Sequence, residues 1–363
     1  MIRFSLIPFA LLAAFVLPAA PAATPRSADV LATMEKVADW QLAHPAEHPA
    51  TDWTQAAGYA GIMALARISS DPRFEQALIK IGEQNAWQLG PRLYHADDHA
   101  VGQTYAELYF LHRDPKMIEP LQELFDYIRA NPKKGSLEFV GDDRGDQWSW
   151  CDSLFMSPPA WVRLYEATGN RAYLDYMATQ WERTTEYLYD TGEHLYFRDS
   201  TFFKKREENG RKIFWSRGNG WVLAGLVRVL QYLPKDHPSR TRFVRQFREM
   251  ADKIISLQQP DGFWRASLLD PKHYPLEETS GTGFYTFALA WGVNERVLTN
   301  RKAEPAVLKG WEALTASVQP DGKLVHVQPI GEDPKRFDPD HTDVFGVGAF
   351  LLAGSEVYRL VGR

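Results

Sequence analysis

Residues 56–65 read AAGYAGIMAL, a stretch in which small and apolar residues would occupy every side of a helix. Residues 221–227, WVLAGLV, have the same character. A helix without a polar face has to be buried on most of its sides. The glycines and alanines would also let neighbouring helix axes approach closely. The chain therefore contains helices that belong inside the molecule rather than on its surface.

Segments of this kind alternate along the chain with charged, amphipathic segments. In the amphipathic set, apolar residues recur at helical spacing, as at Met117, Leu121 and Leu124. Several of these segments open with a capping residue followed by proline, as at Asp114-Pro115. The apolar segments cover roughly residues 55–68, 98–112, 153–167, 219–233, 280–298 and 342–360, and the amphipathic segments cover roughly residues 29–43, 72–87, 114–130, 170–188, 238–257 and 303–318.

Six buried helices that alternate with six amphipathic ones predict two concentric rings. We therefore predict an all-α fold, an (α/α)6 barrel of six helical hairpins, in which the inner helices run parallel and the outer helices return antiparallel. The alternative is an open solenoid of helical pairs, but the spacing here varies from about 45 to 65 residues, whereas solenoids usually keep a fixed period. Minor β structure is expected at one end, where residues 190–197 and 212–215 would pair. Residues 23–363 would form a single domain.

The first residues have the layout of a secretory signal peptide. A short positive start, MIR, precedes the apolar residues 4–17, and an A-x-A cleavage site ends at Ala22. The apolar run is about 14 residues long, shorter than the ~20 residues of a membrane-spanning helix. We expect residues 1–22 to be a signal peptide and the mature protein to be exported to the periplasm without a membrane span. Whether it stays tethered after export is left open.

The composition excludes several classes of protein. The 363 residues are 45% hydrophobic and 24% charged, with a net charge of −5, whereas disordered chains have fewer apolar residues and a larger net charge. No long basic run occurs, so nucleic acid is not an expected partner. Cys151 is the only cysteine, which excludes an intrachain disulfide and a zinc site built on several cysteines.

Unusual polar residues immediately precede the predicted inner helices. Because parallel helices present their N-termini at the same end, these residues would converge on one rim. They are Asp52-Trp53, His95 to His99, Trp148 to Asp152, Trp215 to Trp221, Glu277 to Gly281 and Asp340 to Asp343. Helix N-termini favour negative charge, and an aromatic-walled pocket with a few polar groups is a typical ligand site.

The acidic residues of this rim also have a purely structural interpretation. Asp97, Asp98 and Asp152 could be helix N-caps, for which aspartate is a preferred residue. Asp152 differs from the others because two tryptophans and a cysteine are its neighbours. A carboxyl group among aromatic rings has a raised pKa and could keep a proton near neutrality.

The other rim residues have two interpretations as well. Arg217 could form a structural ion pair, although a guanidinium beside Trp221 also suits a sugar carboxylate. The rim tryptophans fit core packing and sugar binding equally well. His95, His99 and His341 do not show the helical H-x-x-x-H or H-E-x-x-H spacing of a metal site. We therefore expect no metal and no other cofactor.

Three motifs follow one another at the rim: WCDSLFM at 150–156, RGNGW at 217–221 and ETSG at 278–281. In order and rough spacing they resemble those of the unsaturated glucuronyl and rhamnogalacturonyl hydrolases, glycoside hydrolase families 105 and 88. Residues 97–102, DDHAVG, look like the second acidic motif of that family. The resemblance spans most of the mature chain. It implies an (α/α)6 barrel and no metal.

The resemblance also implies a reaction, the removal of a terminal 4,5-unsaturated uronic acid, galacturonyl or glucuronyl, from oligosaccharides that a lyase has produced. Asp152 would be the proton donor and acceptor, and a second aspartate, Asp97 in preference to Asp98, would assist it. The resemblance implies that Arg217 and Trp221 hold the unsaturated sugar and that Trp53 is a matching aromatic residue. We also predict Asp98, His99 and Trp150 as substrate-binding residues. Some members carry a histidine in a Tyr-His segment where this chain has Arg198 at the nearest place, which leaves the preferred uronyl end open.

Three rival functions are compatible with the same sequence. One is another (α/α)6 enzyme, such as an inverting glycosidase or a sugar epimerase. Another is a non-catalytic carbohydrate-binding protein of the periplasm, which would need the tryptophans but not Asp152. The third is a helical interaction scaffold, which would not explain why polar residues cluster before the buried helices. The linkage, the next sugar and the oligomeric state are left open.

Overall fold

The computed structural model describes residues 24–363, in which two kinds of helix alternate. The predicted signal peptide, residues 1–22, lies outside the described residues. The amphipathic helices are α1 (Ser27–Ala43), α3 (Arg73–Gln84), α6 (Glu119–Ala130), α9 (Ala172–Leu188), α11 (Arg240–Leu257) and α13 (Ala303–Ala316). The apolar helices are α2 (Trp53–Ala66), α5 (Gly102–His112), α8 (Pro158–Thr168), α10 (Ser216–Leu230), α12 (Thr279–Asn294) and α14 (Val344–Val361), and the short helices α4 (Ala96–His99) and α7 (Ser153–Met156) precede α5 and α8.

The apolar helices form a closed inner ring. Helix α2 contacts α5, α5 contacts α8, and α8 contacts α10; α10 then contacts α12, α12 contacts α14, and α14 returns to α2. Each amphipathic helix lies outside this ring and packs through its apolar face. Because the first and last inner helices touch, the chain is not an open solenoid. The predicted all-α barrel is confirmed.

Small residues let the inner helices approach closely, as the sequence predicts. At the contact between α2 and α14, a Cβ atom added to Gly61 would lie 2.5 Å from the carbonyl oxygen of Gly348. Real Cβ atoms do not come this close to a backbone oxygen, so a larger residue would push the two helices apart. Glycine at this crossing is therefore a requirement of the closed ring.

Two of the inner helices are interrupted near their N-terminal ends, where the sequence predicted continuous helices over 98–112 and 153–167. Between α7 and α8 the chain passes through Ser157 to Pro158 and Pro159. Proline lacks the N–H that a helix interior needs but fits the first helical turn, so a new helix begins there. As a consequence, Asp97 and Asp152 lie on short helical turns at the mouth of the barrel.

The β structure is minor, as predicted, but its pairing differs from the prediction. Strand β1 (Tyr189–Asp190) pairs with β2 (Leu195–Tyr196) in a tight antiparallel hairpin. Residues 212–215 instead make isolated bridges, Lys212 with Arg206 and Trp215 with Ser267. The turn between residues 190 and 195 brings the two arms of the predicted segment 190–197 together, so the segment pairs with itself.

Buried ion pairs fill the end of the barrel at which the inner helices finish. Glu107 accepts hydrogen bonds from Arg163 Nε at 2.6 Å and from Arg228 Nη2 at 2.9 Å. The C-terminal ends of helices favour cations, which fits the arginines gathered there. The N-terminal ends of the same helices form the opposite mouth, where the unusual polar residues lie.

Among residues 24–363, helix α14 is long and apolar enough to cross a membrane by length and composition. In the structure it is a member of the inner ring, and 83% of its 18-residue apolar stretch, Val344–Val361, is buried inside the protein. It contacts α12, α2 and the outer helix α1. Its apolar character is therefore explained by its position in the core.

Candidate active site

The acidic residues at the mouth divide into capping and non-capping side chains. Asp52, Glu278 and Asp343 accept hydrogen bonds of 2.7–2.9 Å from backbone N–H groups in the first turns of α2, α12 and α14. Asp152 makes no side-chain capping bond to α7, and Asp97 lies inside α4 rather than at its cap. The capping interpretation therefore does not account for Asp97 and Asp152.

Asp152 lies in surroundings that favour its protonated form. Only 12% of its side chain is exposed, and the Cys151 thiol donates to its Oδ2 at 3.3 Å. Burial raises the pKa of Asp152, and the positive charges of Arg198 and Arg217 oppose the shift without cancelling it. A raised pKa is what a carboxylic acid needs to donate a proton near neutrality.

Asp97 is the second carboxyl group of the mouth, with 18% of its side chain exposed. Burial raises the pKa of Asp97 to about 7, Arg92 opposes this, and the negative charge of Asp152 adds to it. Two carboxyl groups whose charges repel each other do not ionise together readily. Near neutral pH the pair can therefore hold one proton and one negative charge, which is the state that combined acid and base chemistry requires.

Two of the predicted substrate-binding residues, Asp98 and His99, make hydrogen bonds within the protein. Asp98 accepts hydrogen bonds of 2.6 Å from the backbone N–H and from Nη2 of Arg92. Both ring nitrogens of His99 are engaged within the protein, Nδ1 with Ser157 Oγ at 2.7 Å and Nε2 with the Leu93 carbonyl at 3.0 Å. Direct substrate contact by Asp98 and His99 stays a prediction, and their polar groups already have partners within the protein. Of the two neighbouring aspartates, Asp97 is the one that remains available.

Replacing His99 by alanine is expected to lower stability rather than substrate binding. The variant loses two buried hydrogen bonds and leaves a cavity, so the free energy of unfolding should fall by about 2–4 kcal/mol. Thermal unfolding and KM measured well below the melting temperature check this. The matched control is His112→Ala, which removes a half-exposed histidine and should change stability by less than about 0.5 kcal/mol. A large rise in KM at unchanged stability would instead support direct contact between His99 and substrate.

Arg217 lies beneath the mouth, at the start of α10, with 1% of its surface exposed. Its Nη1 donates to the carbonyl of Gln328 and its Nη2 to that of Pro329 at 2.8 Å. The guanidinium lies between the rings of Trp215 and Phe345, 4.6 and 4.7 Å from their centroids. Arg217 therefore holds the loop before α14 in place. Its predicted role as a clamp for a sugar carboxylate stays a prediction.

The three predicted tryptophans differ in how much surface they offer. Trp53 is half-buried and stands edge-on to Trp221, with ring centroids 6.0 Å apart. Trp221 is 1% exposed and packs against Phe284 at 4.2 Å, and Trp150 is also buried. Trp53 is thus placed where a sugar ring could stack, whereas Trp150 and Trp221 build the walls behind it. Direct contact of these two with substrate stays a prediction.

Two residues of the mouth were given no role by the sequence. His95, considered only as a metal ligand, has its Nδ1 3.6 Å from Asp97 Oδ2, and its ring lies 4.9 Å from that of Trp150. Burial lowers the pKa of His95 to about 4, so its imidazole is neutral at pH 7. Arg198, noted only as a departure from the family pattern, lies with Nε 3.9 Å from Asp152 Oδ2. Position in the sequence could have drawn attention to both residues. His95 lies two residues before Asp97, and Arg198 lies two residues after β2.

Within residues 24–363, no three or more His, Cys, Asp or Glu side chains are grouped so that they could hold a metal ion. That the reaction uses no metal and no cofactor stays a prediction.

The comparisons with known proteins agree with this geometry. Residues 29–361 match the sequence profile of Glycosyl Hydrolase Family 88. An unsaturated 3S-rhamnoglycuronyl hydrolase from Formosa agariphila is 40% identical over 343 residues, covering 92% of this chain and 91% of that protein.

Two solved structures are also similar. A family 88 glycosyl hydrolase from Bacteroides vulgatus is 31% identical, with a TM-score of 0.85, over 92% of this chain and 99% of that one. A protein described as a polysaccharide lyase is 34% identical, with a TM-score of 0.84, over 93% of this chain and 98% of that one. The resemblance drawn from the motifs at 150–156, 217–221 and 278–281 is confirmed: the chain is a glycosidase that belongs to glycosyl hydrolase family 88.

Proposed function

We propose that the protein removes a terminal 4,5-unsaturated uronic acid from oligosaccharides produced by a polysaccharide lyase. The observation that carries the proposal is the pair of Asp97 and Asp152, two buried carboxyl groups with raised pKa values that cap no helix. They lie at the mouth of the barrel, where Asp152 is next to Arg198 and Asp97 is next to His95, whose ring packs near that of Trp150. Membership of family 88 and the name of the Formosa relative support the same class of substrate.

The first chemical step is protonation of the substrate. In a 4,5-unsaturated uronic acid, the C4=C5 bond is a vinyl ether conjugated to the carboxylate. Protonated Asp152 delivers its proton to C4, and positive charge develops at C5 and the ring oxygen. Positioned general acid catalysis of this kind contributes ~10²–10⁴-fold to the rate. The buried position of Asp152 suits this step because burial raises its pKa, which favours the neutral acid.

The second step is the addition of water. A water molecule, deprotonated by Asp152 or by its partner Asp97, attacks C5 and forms a hemiketal. The hemiketal opens, and the hemiacetal left at C1 expels the rest of the oligosaccharide. This route differs from ordinary glycoside hydrolysis, in which two carboxyl groups flank the glycosidic oxygen itself. The site therefore needs one proton shared between two neighbouring carboxyl groups, which the Asp97–Asp152 pair can supply.

The name of the Formosa relative supports a narrower substrate. Because that protein is an unsaturated 3S-rhamnoglycuronyl hydrolase, we extend the proposal to oligosaccharides in which the unsaturated uronic acid is joined to rhamnose. Among lyase digests of several acidic polysaccharides, those that contain rhamnose next to the uronic acid should be turned over fastest.

A second candidate, a polysaccharide lyase, is favoured by the name of one similar solved structure. A lyase removes the C5 proton and eliminates at C4, so it creates the C4=C5 bond that the proposed hydrolase consumes. The two activities therefore change the near-ultraviolet absorbance of the unsaturated sugar in opposite directions.

We expect the wild-type protein to reduce this absorbance when it is incubated with lyase digests and to leave undigested polysaccharides unchanged. The measurement follows absorbance over time, with heat-inactivated protein as the control. A rise of absorbance with the undigested polymers would establish a lyase instead. Cleavage of saturated uronides without any absorbance change would favour an inverting glycosidase.

A further inference from the structure

We propose that Arg198 is a switchable counter-ion of Asp152, which pairs with Asp152 in the free enzyme and turns to the carboxylate of the uronic acid when substrate binds. Asp152, having lost its partner, then takes up a proton from solvent and becomes the acid. The inference rests on the proposed function and deepens it. It gives a role to a residue whose identity departs from the family pattern.

The contact between Arg198 and Asp152 is electrostatic rather than a hydrogen bond. Arg198 Nε lies 3.9 Å from Asp152 Oδ2, beyond the usual N–H···O distance of 2.7–3.2 Å. The same Nε is buried and has no hydrogen-bond partner among the described residues. A buried guanidinium N–H without an acceptor is costly. An anion that supplied the missing acceptor would therefore bind favourably.

The remainder of the Arg198 side chain is held in place. Nη1 donates to the buried carboxylate of Asp199 at 2.7 Å, and the guanidinium carbon lies 4.5 Å from the centroid of the Phe139 ring. A backbone hydrogen bond of 2.7 Å from Cys151 N to the Arg198 carbonyl ties this segment to the residue next to Asp152. The guanidinium is therefore anchored through Nη1, whereas Nε, which faces Asp152, has no hydrogen-bond partner among the described residues.

Arg198 is also the more accessible of the two arginines that act on Asp152. Its side chain is 14% exposed, whereas Arg217 is 1% exposed and both of its terminal nitrogens donate to carbonyls. The Nε atoms of both arginines are buried and without a hydrogen-bond partner among the described residues, so the choice of Arg198 rests on the greater exposure of its side chain.

The charges around Asp152 make the exchange possible. The charged and titratable groups near Asp152 are Asp97 of α4, Cys151, Arg198 and Arg217 of α10. Arg198 is in turn near Asp199 and near Glu332 of the loop before α14, and the Glu332 carboxylate lies 3.6 Å from Arg198 Nη1. A substrate carboxylate bound to Arg198 adds a negative charge beside Asp152 and disfavours its ionised form. The proton that enters balances the charge, since the ionised carboxylate plus one proton gives the neutral acid.

The proposal makes substrate binding and proton uptake reciprocal. Binding a uronate should draw a proton onto Asp152, and a lower pH should in turn strengthen uronate binding. The probe is D-glucuronate, which lacks the C4=C5 bond and is not turned over. Isothermal titration calorimetry of the full mature protein, in buffers of different ionisation enthalpy across about pH 5–9, measures affinity and protons taken up together.

We expect the wild type to bind glucuronate with net proton uptake. Arg198→Met should bind about tenfold more weakly or worse, with little uptake, because its Asp152 is already protonated before the ligand arrives. Arg198→Lys keeps the charge and should restore part of the uptake, which a merely structural role would not produce. Arg144→Met is the matched control, because Arg144 stacks on the same Phe139 ring but donates to a backbone carbonyl. It should behave as wild type.

The variant Asp152→Asn tests whether Asp152 is the group that takes up the proton. Glucuronate should bind to this variant without proton uptake. Persistent uptake in that variant, or wild-type affinity and uptake in Arg198→Met, would overturn the inference. Failure of the wild type to bind glucuronate would overturn it too, while turnover of unsaturated uronides by the same preparation would leave the proposed function standing. Conversely, an inactive wild type that takes up a proton through Arg198 would remove the proposed function alone.

Discussion

Asp152→Asn is expected to lower kcat/KM on unsaturated uronides by about 10²–10⁴-fold, because the amide cannot deliver a proton to C4. The fold should be retained, since Asp152 caps no helix and asparagine has nearly the same size. Circular dichroism and thermal unfolding check the fold, and loss of near-ultraviolet absorbance measures activity. Substrate binding should persist, so KM is expected to change much less than kcat.

The matched control for this variant is Asp52→Asn. Asp52 lies at the same mouth but caps α2, and asparagine caps as well as aspartate does. Its activity and stability should stay close to wild type. If Asp152→Asn kept near-wild-type activity, Asp152 would not be the acid. If the two variants lost activity equally, the loss would reflect the charge of the mouth rather than one proton donor.

Asp97→Asn is expected to lower kcat by about 10²-fold or more and to make the folded protein more stable at alkaline pH. Burial raises the pKa of Asp97 to about 7 in the folded state, from an ordinary value of 3.8. As pH rises between these two values, the unfolded chain releases the proton first, so stability falls with rising pH up to about pH 7 and then levels off. Asp97→Asn has no titrating group at this position, so its stability should not fall with pH for this reason.

Melting temperatures at two pH values test the prediction. Asp97→Asn and wild type should melt at similar temperatures near pH 4, and the variant should melt higher at pH 8. The neighbouring variant Asp98→Asn is the matched control. Asp98 holds Arg92, so its replacement should lower stability at both values. Equal melting of Asp97→Asn and wild type at pH 8 would contradict the raised pKa of Asp97.

Many features of this protein could be predicted from short-range patterns in the chain. The apolar stretch 56–65 and the other apolar segments indicated the inner ring, because a helix that is apolar on all sides has to be buried. Parallel inner helices then implied that their N-terminal ends share one mouth. Asp152 was singled out by the aromatic residues beside it. These inferences needed only neighbours along the sequence and the period of the helix.

The same patterns did not separate Asp97 from Asp98 by geometry. The two residues are adjacent on α4, but Asp98 accepts hydrogen bonds from Arg92, whereas Asp97 lies 3.9 Å from that arginine without a hydrogen bond and is close enough to Asp152 for its charge to act. Similarly, nothing near His99 in the sequence shows that Ser157 will engage its ring. Such contacts arise between segments that only the closed ring brings together.

What the sequence determined by itself was the class of fold, the end of the barrel that carries the chemistry and the family. These depend on residue type, spacing and motif, which are local properties. The tertiary structure decided which acidic side chains cap helices, which are consumed by ion pairs and which stay free, and it placed Arg198 beside Asp152. The reason is that the role of a carboxylate depends on which donor lies within about 3 Å of it. In a barrel that donor can belong to a segment that is distant in the sequence.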